Sequence, residues 1–225
     1  MVARYSSVED LPASAPVFPL PGVLLLPHTR LPLNIFEPRY LDMIDDALAT
    51  PHRMIVMIQP RDPDADLSDE APNAPLHVVG TAGRIVSFME TEDGRYLINL
   101  AGVARARVSE LPQRHAYREA RLDFAPFAAD LGPDPTEADM NREGLEQVVR
   151  DFAERHSLSL DWDAIEKTPN EALVNSLSMM APYGPREKQA LLEAHNVIER
   201  ADMLIALTEM WLAGANDPGP ESPLQ

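Results

Sequence analysis

The stretch that decides the fold runs from residue 17 to residue 40 and reads VFPLPGVLLLPHTRLPLNIFEPRY. Its short apolar runs, Val17–Leu20, Val23–Leu26 and Leu31–Phe36, are separated by proline and glycine, which end strands or place them at the edge of a sheet. Proline also fixes φ and lacks an amide donor, so strands marked in this way do not pair promiscuously. The stretch therefore predicts a β-rich domain with proline-marked edges.

The segments that follow complete this β-rich pattern. Pro38 suits a first helical turn, and the apolar stripe that begins at Tyr40 predicts one helix over Pro38–Ala49. Arg53–Gln59 has the composition of a buried strand. Tyr117–Phe124 alternates well enough to be a closing strand.

Two long apolar segments, Val78–Glu90 and Arg95–Val108, flank Thr91-Glu92-Asp93-Gly94. Because Asp-Gly supplies the positive φ of a tight turn, the pattern predicts a β-hairpin. Glycines inside the two strands, which are Gly80, Gly83 and Gly102, indicate bulges or sharp coiling of the sheet.

The second half of the chain is predicted to be helical. Thr136 with Asp139 indicates a helix that runs to about His156, and Thr168-Pro169-Asn170-Glu171 opens a helix that ends at Met180. Gly184-Pro185 breaks the helical pattern, and a new helix is predicted over Arg186–Glu193. Asn196 with Glu199 indicates the N-terminal cap of a last helix that runs to about Ala213. The predicted organisation is a flexible tail over 1–15, a β-rich domain over 16–124, a linker over 125–135, an α-helical subdomain over 136–213 and a disordered tail over 214–225.

Three ordered blocks carry a family resemblance. They are FPLP…LPLNIFEPRY at Phe18–Pro21 and Leu31–Tyr40, then VGTA, DGRY and GVAR at Val79–Ala82, Asp93–Tyr96 and Gly102–Arg105, and finally AP with EKQALLE at Ala181–Pro182 and Glu187–Glu193. Together they resemble the Lon N-terminal domain, the substrate-binding domain at the front of ATP-dependent Lon proteases. The resemblance implies an α+β fold: an N-terminal twisted, barrel-like (PUA-like) β domain with one inserted helix, followed by a C-terminal α-helical bundle.

Composition narrows the possible partners and cofactors. The 225-residue chain has no cysteine, which excludes disulfides and thiolate zinc sites, and its formal charge of -17 repels phosphate backbones. We therefore expect no binding of nucleic acid. Because the N-terminus does not resemble a secretory signal and no apolar run could span a bilayer, we expect a cytoplasmic protein without membrane contact.

No cofactor or metal site is expected. The acidic segment that holds Asp62, Asp64, Asp66, Asp69 and Glu70 superficially resembles a calcium loop. An EF-hand needs glycine and glutamate where this chain has Leu67 and Asn73, so a solvated acidic loop is the better interpretation. No two of the six histidines have the four-residue spacing of a helical metal site.

The sequence also lacks the motifs of the common catalytic machines. There is no Gly-x-Ser-x-Gly elbow and no Gly-Lys-Ser/Thr phosphate loop, and the only lysines, Lys167 and Lys188, do not lie in a Ser–Lys peptidase motif. Taken with the resemblance, this predicts a stand-alone member without ATPase and peptidase domains, and hence no enzyme. The expected role is an adaptor or regulator in proteolysis that binds unfolded or degron-bearing polypeptides, with a Lon-type protease as a partner.

A peptide surface is expected where large apolar residues lie next to turns, at Leu24, Leu26, Phe36 and Tyr40. Strand addition at a proline-marked edge is one way for it to hold a peptide. Two alternatives stay open: an uncharacterised hydrolase with its site in the cleft between the two halves, and an RNA-binding barrel with a concentrated arginine face.

Overall fold

The computed structural model describes residues 5–62, 64 and 74–214. Over these residues the fold is α+β, as predicted, with six strands and six α-helices. The strands are β1 (Ser14–Pro19), β2 (Arg30–Ile35), β3 (Met54–Ile58), β4 (Val79–Glu90), β5 (Tyr96–Glu110) and β6 (Arg118–Asp123). The helices are α1 (Pro38–Ala49), α2 (Arg142–Arg155), α3 (Trp162–Lys167), α4 (Asn170–Met180), α5 (Pro185–Glu193) and α6 (Val197–Gly214).

All six strands belong to one sheet in the order β2-β5-β4-β3-β1-β6. The β1–β3 pair is parallel, the other pairs are antiparallel, and the C-terminal part of β5 also pairs with β6. Among the described residues β2 pairs with β5 alone, so β2 is an edge strand. The barrel-like closure stays a prediction.

Local signals predicted the hairpin and the inserted helix correctly. Helix α1 has the predicted bounds, with Pro38 in its first turn. The β4–β5 hairpin turns at Gly94, whose φ is +78°, and its register shifts between Ala82 and Gly83, where a bulge was expected. Side chains at alternate positions of β5 enter two apolar clusters, with Ile98 and Leu100 in one and Ala104 and Ala106 in the other.

The predicted strand at Val23–Leu26 is wrong. This apolar segment is not part of the sheet and lies in a loop, with the Thr81 hydroxyl donating a hydrogen bond to the Leu25 carbonyl at 2.7 Å. The loop lies so close to β5 that a Cβ on Gly102 would be 2.0 Å from the Leu26 carbonyl oxygen. Its apolar side chains are buried against the sheet, which explains a composition typical of a strand.

The contacts divide the chain into two compact units that do not follow chain order. One unit comprises the residues up to Asp134 together with Asn175–Glu193, and the other comprises Pro135–Val174 and the residues from Ala194 onward. The sequence predicted one continuous helical subdomain over 136–213, whereas residues 175–193 belong with the β-rich unit. Long-range hydrogen bonds from two buried side chains account for the difference.

The first of these side chains is Gln59, at the end of β3, which is only 2% exposed. Its Oε1 accepts a hydrogen bond from the amide of Gly22 at 2.9 Å. Its Nε2 donates to the carbonyl of Pro185 at 3.1 Å and to Oε1 of Gln189 at 3.2 Å. One amide group therefore connects the loop after β1 and the start of α5 to the sheet.

The second is Arg105 on β5, whose guanidinium forms a buried bidentate pair with Asp130. Nε donates to Oδ2 at 2.9 Å and Nη2 donates to Oδ1 at 2.7 Å. Nη1 donates to the Leu192 carbonyl at 3.1 Å, which anchors the end of α5. Because a buried guanidinium needs several acceptors, this geometry holds three separate segments at fixed positions.

The predicted connectors contain more structure than expected. In the segment expected to be a tail, Leu11 is buried and β1 already begins at Ser14. In the segment expected to be a linker, Ala125–Leu131 forms 3-10 turns that are interrupted by a kink at Phe127, and it carries Asp130. Residues 215–225 of the second predicted tail, and Asp66, Asp69 and Glu70 of the acidic loop, lie outside the described residues.

In the second unit the first helix begins later than expected. Thr136 forms no side-chain cap, and α2 begins at Arg142, where the side chain of Asn141 accepts from the amide of Gly144 at 3.0 Å. The cap of α6 is confirmed, since Asn196 Oδ1 accepts from the amide of Glu199 at 2.9 Å. In the described part of the chain, no helix combines the length and apolar character needed to cross a membrane.

Replacing Gln59 by leucine tests this tethering. The variant keeps the side chain's size but leaves the amide of Gly22 and two acceptors on α5 without their partner, so we expect a loss of about 2–4 kcal/mol in the free energy of unfolding. Urea unfolding followed by far-UV circular dichroism measures it. Gln113→Leu, at an exposed position, is the matched control and should stay within about 0.5 kcal/mol. A Gln59→Leu variant as stable as this control would contradict the tethering.

Candidate functional site

A groove of about 400 Å³ lies beside the edge strand β2 in the first unit. Its walls come from the end of β1, from β2 and from the start of α1. The lining residues are Phe18, Pro19, Leu20, Leu33, Asn34, Ile35, Phe36, Glu37, Arg39 and Tyr40. The groove is therefore built almost wholly from the two ends of the stretch that decides the fold.

Two aromatic rings support the groove from the core side. Phe18 and Tyr40 are buried, with ring centroids 4.6 Å apart in an edge-to-face arrangement. Ile35, the last residue of β2, is buried in the same apolar cluster. These fixed side chains give one side of the groove a rigid apolar surface.

Phe36 differs from these neighbours because 62% of its side chain is exposed. It lies between the end of β2 and Glu37, the extended residue that precedes α1. Since the paired strand and the proline-initiated helix fix the backbone on both sides, the ring cannot retreat into the core without changing them. Phe36 therefore presents a large apolar side chain to solvent at the edge of the groove.

Glu37 and Arg39 form the polar end of the groove. Nη2 of Arg39 donates to Oε2 of Glu37 at 2.7 Å, and the guanidinium lies 4.4 Å from the centroid of the Tyr40 ring. The guanidinium is thus held by a carboxylate and an aromatic face. This pair acts as a wall of the groove and presents no isolated charge.

The structure separates the four residues predicted for peptide binding. Phe36 and Tyr40 lie in the groove. Leu24 and Leu26 are 3% and 0% exposed and belong to the core, where they present no surface to a ligand. Sequence reasoning missed the other lining residues, notably Leu20 and Asn34. The proline-marked edge at Pro32 was the available signal for them, because it indicated which strand borders open space.

Carboxylates collect near the end of β2. Tyr96 lies opposite Ile35 in the sheet, and its hydroxyl donates to Oδ2 of Asp45 at 3.3 Å. Burial raises the pKa of Tyr96, and the charges of Asp45, Glu90 and Asp42 raise it further. Those three carboxylates are exposed, and we call them the acidic rim.

A second phenol, that of Tyr117, contacts the next residue of α1. The hydroxyl of Tyr117 donates to Oδ2 of Asp46 at 2.6 Å. Burial raises the pKa of Tyr117 above its ordinary value of 10.0, and the hydrogen bond and charge of Asp46 add to the shift. Asp42 and Glu119 contribute in the same direction.

The groove lining is mostly apolar and carries few polar side chains. Its polar side chains are one carboxylate, one guanidinium, one amide and the phenol of the buried Tyr40, and no serine, histidine or lysine lines it. Within residues 5–62, 64 and 74–214, no three histidine or acidic side chains converge in a way that could hold a metal ion.

Comparisons with known proteins agree on one family. The family model for the ATP-dependent protease La (LON) substrate-binding domain matches residues 14–209. Lon protease 2 of Sorangium cellulosum (strain So ce56) is 28% identical over 202 residues, which are 86% of this chain and 24% of that protein. Lon protease 2 of Myxococcus xanthus is 33% identical over 116 residues, which are 51% of this chain and 13% of that protein. The chain spans about a quarter of the length of the curated relatives that match most of it.

Solved structures show the same fold. The N-terminal domain of Mycobacterium avium complex Lon protease superposes with a TM-score of 0.63 at 17% identity, and covers 87% of this chain and 98% of its own. The Lon N-terminal domain protein from Xanthomonas campestris gives a TM-score of 0.60 at 22% identity, and covers 86% and 97%. At these identities the likeness concerns the fold.

The Tyr117–Asp46 contact predicts a dependence of stability on alkaline pH. Because the folded-state pKa of Tyr117 lies above 10.0, the stability it contributes is complete below pH 10 and is lost as the pH rises through the folded-state value. We expect the free energy of unfolding to fall more steeply above pH 10 in the unmodified protein than in Tyr117→Phe. For Asp46→Asn, which keeps the phenol, the slope of the free energy of unfolding against pH should lie between those of the unmodified protein and Tyr117→Phe. Equal slopes in urea titrations across this range would refute the assignment.

Proposed function

Because this chain belongs to the family of the ATP-dependent protease La (LON) substrate-binding domain, we propose that it is a recognition module that holds unfolded or degron-bearing polypeptides. The observation that carries the proposal is the groove beside β2, with Phe36 exposed at its edge. Unfolded chains differ from folded ones in presenting apolar side chains and unpaired backbone together. The groove has an apolar lining that can contact such side chains, and it lies beside the edge strand β2, which can pair with such a backbone.

The proposed role requires binding and no catalytic step. The groove lining offers apolar contact, one amide side chain and a neutralised ion pair, which suit reversible association. Relatives in the family are Lon proteases, and we propose that this chain acts as an adaptor or regulator in proteolysis with a Lon-type protease as a partner. Co-purification of the full chain with such a protease from the native cell tests that part.

Charge supports a polypeptide as ligand. A net charge of -17 opposes approach of a nucleic acid and favours approach of polypeptide segments that carry lysine or arginine. The acidic rim adds exposed carboxylates around Tyr96, the strand partner of the groove residue Ile35. We therefore expect binding of an unfolded basic protein to weaken as salt is added.

The direct test uses Phe36→Ala and an unfolded basic protein. The probe is labelled lysozyme with its cysteines reduced and blocked, and native lysozyme is the negative control. Fluorescence anisotropy measures the dissociation constant. Removing the exposed ring takes away apolar contact area, so we expect binding to weaken about tenfold, or about 1.4 kcal/mol.

Met180→Ala is the matched control for this test. Met180, at the end of α4, is 78% exposed and does not line the groove. Its substitution should leave the dissociation constant unchanged, and both variants should keep the unfolding midpoint because neither side chain is buried. If the probe binds saturably and Phe36→Ala leaves the dissociation constant unchanged, the binding site lies outside this groove. No saturable binding of the unfolded probe would refute the proposed function.

A further inference from the structure

The outer edge of β2, which faces away from β5, has main-chain groups that could pair with a ligand strand. The amide of Gly102 on β5 donates to the carbonyl of Thr29 at 3.0 Å, and Arg30 then lies opposite Ala101. In an antiparallel ladder the pairs that exchange hydrogen bonds alternate with pairs that do not. Continued along β2, this register directs the main-chain groups of Leu31, Leu33 and Ile35 toward β5. Those of Arg30, Pro32 and Asn34 point away from it.

Pro32 is consistent with this assignment. Proline has no amide hydrogen, so within a strand it occupies positions whose nitrogen faces away from the ladder. Pro32 lies opposite Asn99, in the same alternate set as Asn34 opposite Leu97. The outer edge of β2 therefore presents one amide donor near the groove, that of Asn34, and carbonyl acceptors on both Pro32 and Asn34.

The groove lies along this outer edge. Five consecutive residues, 33–37, line it, whereas a groove on one face of a strand would be lined by alternate residues. The opposite wall is another run of consecutive residues, 18–20. An extended chain laid between these runs would align its backbone with that of β2, and every second side chain would enter the apolar part of the groove.

The carboxylates around Tyr96 favour a ligand polypeptide with basic side chains. The acidic rim, Asp42, Asp45 and Glu90, surrounds Tyr96, which lies opposite Ile35 of the groove. Glu37 and Arg39 neutralise each other. Lysine or arginine next to the apolar positions of the ligand would therefore be favoured over aspartate or glutamate.

The acidic charge of this chain disfavours it as its own ligand. Segments 62–73 and 214–225 carry carboxylates and prolines and contain no lysine or arginine. A second copy pairing edge to edge would bring two molecules of charge -17 together at their acidic rims. The complementary occupant is a basic polypeptide from another protein.

We propose that the groove binds an extended segment in which apolar residues alternate with basic ones, and that this segment adds to β2 as a further strand. The Asn34 amide donates to the ligand, and the Pro32 and Asn34 carbonyls are available to accept from it. The proposal rests on the proposed function, which it deepens by naming the conformation and charge of the ligand. Pro32 removes the donor beyond Asn34, which favours pairing at the groove end of the strand.

Substitutions at Asn34 test the main-chain contact. Asn34→Pro removes the outward amide hydrogen, while Asn34→Ala removes the same side chain and keeps that hydrogen. The probe is a labelled eight-residue peptide in which valine alternates with lysine. Because a hydrogen bond is lost in the partly dry groove, we expect the peptide to bind Asn34→Pro about tenfold more weakly than Asn34→Ala. Equal affinities for two folded variants would overturn the proposal.

A series of backbone-modified peptides, measured on the unmodified protein, tests strand addition even if Asn34→Pro does not fold. Single N-methyl groups are placed on successive peptide amides, and the dissociation constant is measured for each. Strand addition predicts alternation, with weakening of about tenfold at amides that face β2 and little change at the amides between them. A scan without alternation overturns the proposal.

The outcomes also separate this proposal from the proposed function. If unfolded lysozyme binds through Phe36 but the scan is flat, strand addition fails and the recognition role stands. If neither probe binds, both fail. Sedimentation that shows a dimer dissociated by the peptide would identify a second copy as the occupant and overturn the choice of a basic ligand from another protein.

Discussion

The buried amide of Gln59 is the contact on which the arrangement around the groove depends. It accepts from Gly22 and donates to Pro185 and Gln189, so that the end of β3, the loop after β1 and helix α5 share one fully satisfied group. An amide in an apolar interior is costly unless all its partners are present, and these segments are therefore fixed together. Because Gly22 follows the groove residue Leu20 by two positions, the same contact holds one wall of the groove in place.

Elements with a local code could be predicted from the sequence. Helix α1 follows from Pro38 and an apolar stripe, and the β4–β5 hairpin follows from Asp-Gly between long strands. Both depend on backbone preferences within a few residues. The resemblance to a known family gave the α+β class, which the family model and the solved structures confirm.

Features set by distant partners could not be predicted in this way. Residues 175–193 are helical, but their membership in the β-rich unit depends on Gln59 and Arg105, more than eighty residues earlier in the chain. Val23–Leu26 has the composition of a strand, yet its carbonyls contact Thr81 and approach Gly102. The late start of α2 depends on Asn141, which caps it in place of Thr136. In each case tertiary contacts outweigh the local pattern.

The candidate site likewise combines features that the local sequence predicts with features that depend on distant contacts. Sequence reasoning selected Phe36, Tyr40, Leu24 and Leu26 because they are large and lie next to proline-marked turns. Of these four, the structure exposes Phe36 and buries the other three, of which Tyr40 alone lines the groove. Size and apolarity do not distinguish exposed from buried residues. The exposure of Phe36 follows from its place between an edge strand and a proline-initiated helix, which becomes evident only when β2 is seen to pair on one side.

The exchange of the Asn34 amide hydrogen with solvent, followed by NMR with and without saturating valine–lysine peptide, tests the central claim most directly. The amide of Leu33 faces β5 and serves as an internal reference in the same strand. The account predicts that the peptide slows exchange at Asn34 by at least about tenfold and leaves Leu33 nearly unchanged. A bound peptide that leaves the exchange of Asn34 unaltered would contradict the account.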